Sequence, residues 1–298
     1  MNRKRAIIAM LALCITLIFA AGISIRPGTI LLQDAPVGDL YDFYERRMQS
    51  IKIGPAEKDI AYNLYPEKAS EGGTKATGFY DFPEPEWFIL EKETLEVREG
   101  EVGEVRMWLE IPAEDGLYNH HWLLGIPVTP ISIPGRGAQI QVGAYLLFRI
   151  ETEAKSGVVP ICAPEEIVAV PSKLEFLEIL PGEEITKVVT LFQGRDMSGL
   201  YTVKRLDPES DVARLTILGT PGFPRLSEPG WIEYPDTVVI PGADEGGGPF
   251  PVTVNIPSGA QVRRFEEILM FEKVETRIQT GNETRPAFLR IIVTTKQG

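Results

Sequence analysis

Between Val105 and Ile111 the chain reads Val-Arg-Met-Trp-Leu-Glu-Ile, apolar at every second position. Successive side chains of a strand point to opposite faces. Val105, Met107, Leu109 and Ile111 therefore form a face to be buried, and Arg106, Trp108 and Glu110 form the other. Strands of this kind are also expected over Ile140–Ile150, Ile185–Phe192, Val252–Ile256, Ile268–Val274 and Phe288–Thr295, and 24 prolines with 28 glycines interrupt the chain at short intervals. Only Asp39 to Met48 spaces apolar residues for a helix, with Leu40, Tyr44 and Met48 on a single face. Short strands with frequent turn residues predict an all-β fold of antiparallel sandwiches. A length of 298 residues suffices for two domains, each with its own core.

One tetrapeptide shows how the chain divides. Glu84-Pro85-Glu86-Trp87 returns 144 residues later as Glu228-Pro229-Gly230-Trp231. After Trp87 come Thr94, Gly100 and a strand ending Ile111-Pro112; after Trp231 come Thr237, Gly242 and a strand ending Ile256-Pro257. The offsets are 7, 13, 24 and 25 residues in the first copy and 6, 11, 25 and 26 in the second. A turn and a strand precede each copy, Ile53 to Pro66 in one and Leu180 to Gln193 in the other. Two tandem immunoglobulin-like sandwiches are expected, over 27–155 and 156–298. Proline keeps the chain extended before each tryptophan, which favours a structural seat for Trp87 and Trp231 over a ligand platform. Tyr118, in Asp-Gly-Leu-Tyr, stands where such sandwiches place a corner tyrosine bonded to the backbone. The second copy has Ser258-Gly259-Ala260-Gln261 there, without the tyrosine.

The formal charge of −12 argues against nucleic acid and anionic membrane surfaces as main partners. Basic residues concentrate only at Arg3, Lys4 and Arg5, ahead of an apolar run from Ala6 to Ile25 with small residues at Ala20-Ala21-Gly22. This is the pattern of an export signal. Residues 1–25 are expected to be a signal peptide or, uncleaved, an N-terminal membrane anchor; lipidation at Cys14 is a third reading. Cleavage removes three cations and leaves −15. With Cys14 in that segment, Cys162 is left without an internal disulfide partner, so stability rests on core packing.

Catalytic motifs are missing: there is no G-x-S-x-G, no Walker loop and no H-E-x-x-H. Pro134 to Ile140 reads as a hairpin turn, since a phosphate loop opens a helix and this precedes a strand. His120 and His121 are adjacent, and on a strand they diverge, one inward and one solvated, so neither metal nor cofactor is expected. Asp244 and Glu245, in Gly242 to Gly248, lack the alternating ligands of a calcium loop. Among 42 acidic residues no pair stands out for glycoside hydrolysis.

The order Pro181-Gly182-Glu183-Glu184 with its strand, then Trp231 to Gly242, then Pro251 to Pro257 and a late hairpin resembles bacterial cell-envelope proteins built of tandem immunoglobulin-like sandwiches. The likeness is to the extracellular part of WxL-interacting proteins and, more loosely, to pilus-chaperone-type sandwiches. It implies a non-catalytic protein, exported to the periplasm, cell surface or exterior, that binds another envelope protein or a wall polymer. That family carries a membrane span where this chain ends in a strand and a polar tail. Carbohydrate binding as an accessory module is the alternative, with Trp108 and Trp122 as the aromatic faces. The terminal segment Ala287 to Thr295 is either an open edge for strand addition or the central last strand of the second sandwich.

Overall fold

The computed structural model describes residues 23–131, 143–226, 228–261, 263–274 and 285–296. The apolar run up to Gly22 and the expected turn at Pro134 to Ile140 lie outside them. Among the described residues no helix is long and apolar enough to cross a membrane.

In the first half the strands are β1 (Ile25–Arg26), β2 (Thr29–Ala35), β3 (Leu40–Asp42), β4 (Ile51–Ile53), β5 (Ile60–Leu64), β6 (Glu67–Lys68) and β7 (Tyr80–Asp81). They continue as β8 (Phe88–Leu90), β9 (Thr94–Val97), β10 (Gly103–Val105), β11 (Met107–Glu110), β12 (His121–Pro130) and β13 (Ala144–Thr152). One sheet runs β2-β13-β12-β5-β9, with β6 and β7 also on β12; facing it are β1-β4-β10 and β3-β11-β8. The second half has β14 (Ile167–Val170), β15 (Lys173–Ile179), β16 (Glu184–Gln193), β17 (Gly199–Arg205) and β18 (Ile232–Glu233). It ends with β19 (Thr237–Ile240), β20 (Gly248–Asn255), β21 (Arg264–Lys273) and β22 (Ala287–Thr295). Here β15-β22-β21-β17-β19 faces β14-β16-β20-β18.

The two halves repeat one plan. In each, an early strand after a proline (Pro27, Pro171) runs parallel to the last strand, β2 on β13 and β15 on β22. Asp34 and Glu178 bulge these strands with φ of 55° and 56°. Gly38 and Gly182, at φ 93° and 91°, then donate backbone hydrogen bonds to Ile111 and Ile256. A side chain strains the backbone at such φ, so glycine is required at both turns. Asp34 and Glu178, Gly38 and Gly182, and Trp87 and Trp231 are each 144 residues apart.

The strands preceding the tryptophans correspond differently from the sequence expectation. Ile60–Leu64 sits between β12 and β9 as β17 sits between β21 and β19, so its counterpart is β17. The counterpart of β16 is β3 together with β4. Sheet register matches Tyr41 with Ile185, 144 residues apart, but Lys52 with Thr190, 138 apart, so the first copy holds six extra residues between them. They accommodate the helix α1 (Phe43–Arg47), where Asp42 Oδ1 accepts the amides of Tyr44 and Glu45 at 2.8 and 2.9 Å. Leu40, Tyr44 and Met48 do not share a buried face: Leu40 belongs to β3, and both Leu40 and Met48 are exposed. Tyr41 and Phe43 fill the core instead, because five helical residues give only one inward position.

Val105, Met107, Leu109 and Ile111 are all buried, and Trp108 faces out as alternation requires. Ile25 lies in β1, and Ile23 and Ile25 pack on the first core, so the end of the apolar run is part of this sandwich. The last strand, β22, is central between β15 and β21, which removes it as an open edge.

Candidate functional site between the sandwiches

Each sandwich has its own core, but a third apolar cluster joins them. Ala69, Phe79 and Leu123 of the first half pack with Leu206, Ile217, Ile268, Met270 and Phe288 of the second. Thus β12 is buried on both faces, one against its own sandwich and one against the other. That explains the histidines. His121 is not solvated: it stacks on Phe288 with centroids 3.8 Å apart and planes 7° apart. Burial, then Arg290 and His120, hold its pKa well below the usual value, so the ring is neutral.

His120 is also fully buried. Its Nε2 lies 2.9 Å from the Gly116 carbonyl, which only accepts, so Nε2 carries a proton. Its Nδ1 lies 2.7 Å from Glu166 Oε1, so a second proton bridges ring and carboxyl. Burial alone lowers this pKa; the charge and hydrogen bond of Glu166, with the Gly116 carbonyl, outweigh it and raise the pKa. Glu166 Oε2 accepts the Ala163 amide at 3.0 Å, which ties the segment between the sandwiches to the first.

Arg290 completes the junction. From the middle of β22 it donates Nε and Nη2 to the two oxygens of Glu151 on β13, both at 2.5 Å, and Nη1 to Glu266 at 2.8 Å. Glu266 also accepts the Thr220 amide and hydroxyl, and Arg225 stands 3.6 Å away. Two buried carboxylates thus meet two guanidiniums. Burial works against the Arg290 cation, but Glu151 and then Glu266 overcome it and push its pKa up. Burial pushes the Glu151 carboxyl up while Arg290 pulls it back; the bidentate geometry favours the ionised pair. Asn119 fixes the junction too, its Oδ1 accepting the amides of Lys155 and Ser172 at 2.9 Å.

Beside this junction opens a cleft of about 900 Å³. Asp34, Tyr118 and residues 153–156 form one wall; Pro171, Lys173, Glu175 and Leu177 of the β15 side and Lys187 and Val188 of β16 form the other. Leu177 and Val188 are 58% and 56% exposed. Lys173 bridges the walls to Asp34 at 2.5 Å, and Lys155 pairs with Asp115 at 2.6 Å. A smaller recess of about 290 Å³ leads inward past Gln33 to His121, Glu151 and Arg290.

The residues singled out in the sequence fall in different places. Trp87 and Trp231 each end a 3-10 turn, half-buried against their own cores, Trp87 edge-on to Phe82 and Trp231 to Phe265. Trp122 is 3% exposed, edge-on to Phe82 at 5.4 Å and stacked on His120 at 4.7 Å, so it offers no face to a sugar. The physical reason is that Trp122 lies on the face of β12 that, with Leu124, Ile126 and Val128, forms the core of its own sandwich. Trp108 is half-buried on the outer face of β11, its indole N–H donating to Asp42 at 2.8 Å. The two do not share a surface. Tyr118 donates to the Val37 carbonyl at 3.4 Å, far along the chain rather than a few residues upstream, and Lys155 sits 4.5 Å over its ring. Cys162 is half-buried against Val158, Val168 and Val170, with burial and then Glu166 pushing its thiol pKa up. Among the described residues no three metal-ligating side chains converge. Arg290, Glu151 and Glu266 were missed; only Arg290, the one charge in Ala287–Thr295, left a signal in the sequence.

No family model matches this chain, and no curated protein sequence matches it. Similar solved structures include a protein of unknown function from Porphyromonas gingivalis W83, 10% identical with TM-score 0.32, covering 91% of this chain and 99% of that one. The E. coli chaperone DraB is 8% identical with TM-score 0.30, covering 91% and 97%. A PapD-like domain of human CEP192 is 11% identical with TM-score 0.31, covering 47% of this chain and 94% of that domain. The last two are a chaperone and a PapD-like domain, a loose likeness from which no partner, place or chemistry carries over.

Proposed function

We propose that this is an exported, non-catalytic cell-envelope protein that holds a partner protein in the fixed cleft between its two sandwiches. The observation that carries this is the cleft itself, open at about 900 Å³ with the apolar side chains of Leu177 and Val188 half uncovered. A pocket of that size with a few apolar anchors suits a protein segment. Arg290, Glu151 and Glu266 are satisfied by one another, so they serve to hold the two walls together. Export rests on Arg3, Lys4 and Arg5 with the apolar run behind them. A wall polymer as the ligand has less support, because Trp122 is buried and Trp108 stands alone.

A photo-crosslinking residue at Leu177, compared with one at the exposed Val239 of β19 on the far edge of the second sandwich, tests this in cells that make the protein. A discrete protein adduct from position 177 and none from 239 is expected. Adducts from neither position, or from 239 alone, would remove the cleft as the binding site.

A further inference from the structure

The cleft has an unfinished sheet edge in its wall. β16 pairs with β20 over Glu184 to Leu191 without a break in register. On its other side β14 covers only Thr190 to Gln193, because the chain leaves that sheet at Pro171 and becomes β15 of the opposite one. Which backbone groups this exposes follows from the alternation of antiparallel hydrogen bonds. The Gly194 amide donates to the Glu166 carbonyl at 3.1 Å, just beyond the β14–β16 ladder. Even-numbered residues of β16 therefore turn their N–H and C=O groups towards β14. Beyond Val170 the same groups of Glu184, Thr186 and Val188 face a side where, among the described residues, no strand pairs with them. Odd-numbered residues spend theirs on β20.

Edges of this kind are normally protected by charge, proline or a bulge. This one has Lys187, whose Nζ crosses the seam to the Glu175 carbonyl and lies 5.2 Å over the Phe176 ring. Among the described residues Lys187 makes no ion pair, while Lys155 and Lys173 both do. Val188, next to it, is exposed on the outer face, and Leu177 stands on the neighbouring β15. The edge thus presents Val188 beside Thr186 and Glu184 on its outer face, carries Lys187 without a carboxylate partner among the described residues on the other, and opens into the cleft.

We infer that Glu184 to Val188 of β16 accepts an extended segment of the partner protein as an added antiparallel strand in line with β14. The inference rests on the cleft being the binding site and specifies how binding occurs. Main-chain hydrogen bonds to Glu184, Thr186 and Val188 supply affinity, and alternate side chains supply selectivity. Residues directly opposite across an antiparallel pair share a face. The incoming segment therefore places an apolar residue opposite Val188, an Asp or Glu opposite Lys187 and a β-branched or hydroxyl residue opposite Thr186.

The test uses a displayed library of random twelve-residue peptides selected on the full-length protein. Enriched peptides should carry the apolar–acidic–β-branched pattern. In their presence the amides of Glu184, Thr186 and Val188 should exchange at least tenfold more slowly, with Ile185, Lys187 and Val189 already slow in the free protein. Val188→Pro removes only a donor on the open side, where proline is tolerated, and should weaken the peptides at least tenfold. The exchange measurement on the unaltered protein decides the matter if that variant does not fold. Peptides weakened by Leu177→Glu but not by Val188→Pro, and leaving the three amides unprotected, would overturn strand addition and keep the cleft. Peptides indifferent to both changes would overturn both readings. Failure to enrich any peptide overturns strand addition and leaves the cleft to the crosslinking result.

Discussion

Replacing Arg290 with Met keeps most of the side-chain length and removes the guanidinium from two buried carboxylates at once. Glu266 retains the Thr220 amide and hydroxyl and Arg225. Among the described residues the Glu151 carboxylate is hydrogen-bonded by Arg290 alone, and the residue is 4% exposed. Breaking a buried ion pair from one side costs about 3–5 kcal/mol, because the remaining charge stays desolvated. The loss should depend on pH. Without Arg290, burial holds the Glu151 pKa above the unfolded value of about 4.3. A group whose folded pKa is raised contributes stability that is present below the unfolded pKa and lost as pH rises through the folded one. The deficit against the unaltered protein should therefore be largest at neutral pH and shrink towards pH 5. Urea unfolding followed by tryptophan fluorescence reads both sandwiches, since Trp231 lies in one and Trp87, Trp108 and Trp122 in the other. Adding Glu151→Gln to Arg290→Met should recover part of the loss. A deficit under about 1 kcal/mol, or one that does not change with pH, would refute the clamp.

Three further outcomes are expected. His120 has a raised folded pKa, so its contribution is complete below about pH 6.5 and lost as pH rises through the folded value; the urea midpoints of the unaltered protein and His120→Gln should converge as pH rises above about 6.5, and divergence would contradict the bridging proton. Trp87→Ala and Trp231→Ala should each cost about 2–3 kcal/mol, at or below the usual range for aromatic truncation because both are half-buried. Because the sandwiches share a third core, both variants should still unfold in a single transition; loss of one sandwich alone would show that the shared core is too weak to couple them. Gly182→Ala, whose Cβ would make only ordinary contact with Ser258 at 3.5 Å but at φ 91°, should cost about 1–2 kcal/mol from backbone strain, and Gly38→Ala more, since its Cβ also meets Ala113 at 2.9 Å.

The strand class was legible because alternation is a local signal, as Val105 to Ile111 demonstrates. The repeat was legible through the tryptophans, since each follows the same Glu-Pro turn into a strand. Its alignment was not, because the six extra residues around Phe43–Arg47 split one strand into β3 and β4 and shifted the apparent partner to β5. The junction escaped for a different reason. Burial of His121 and Arg290 depends on one sandwich covering the other, a long-range packing that no periodicity within a strand records. Arg290 within Ala-Phe-Leu-Arg-Ile-Ile-Val gave a hint, since an isolated charge in a doubly buried strand needs an opposite charge facing it. The cleft could not be read from the sequence at all, because only the folded chain brings Asp34, Tyr118 and residues 153–156 together opposite residues 171–188.

The two sandwiches must be fixed relative to one another if the cleft exists before a partner arrives. Spin labels at Met48→Cys and Met197→Cys, both on exposed positions of different sandwiches, measure this in a background lacking Cys14 and Cys162. The expected result is a single narrow distance distribution in the free protein that broadens when Arg290→Met is introduced. A broad distribution in the unaltered junction would mean that the sandwiches move independently and that no preformed cleft exists.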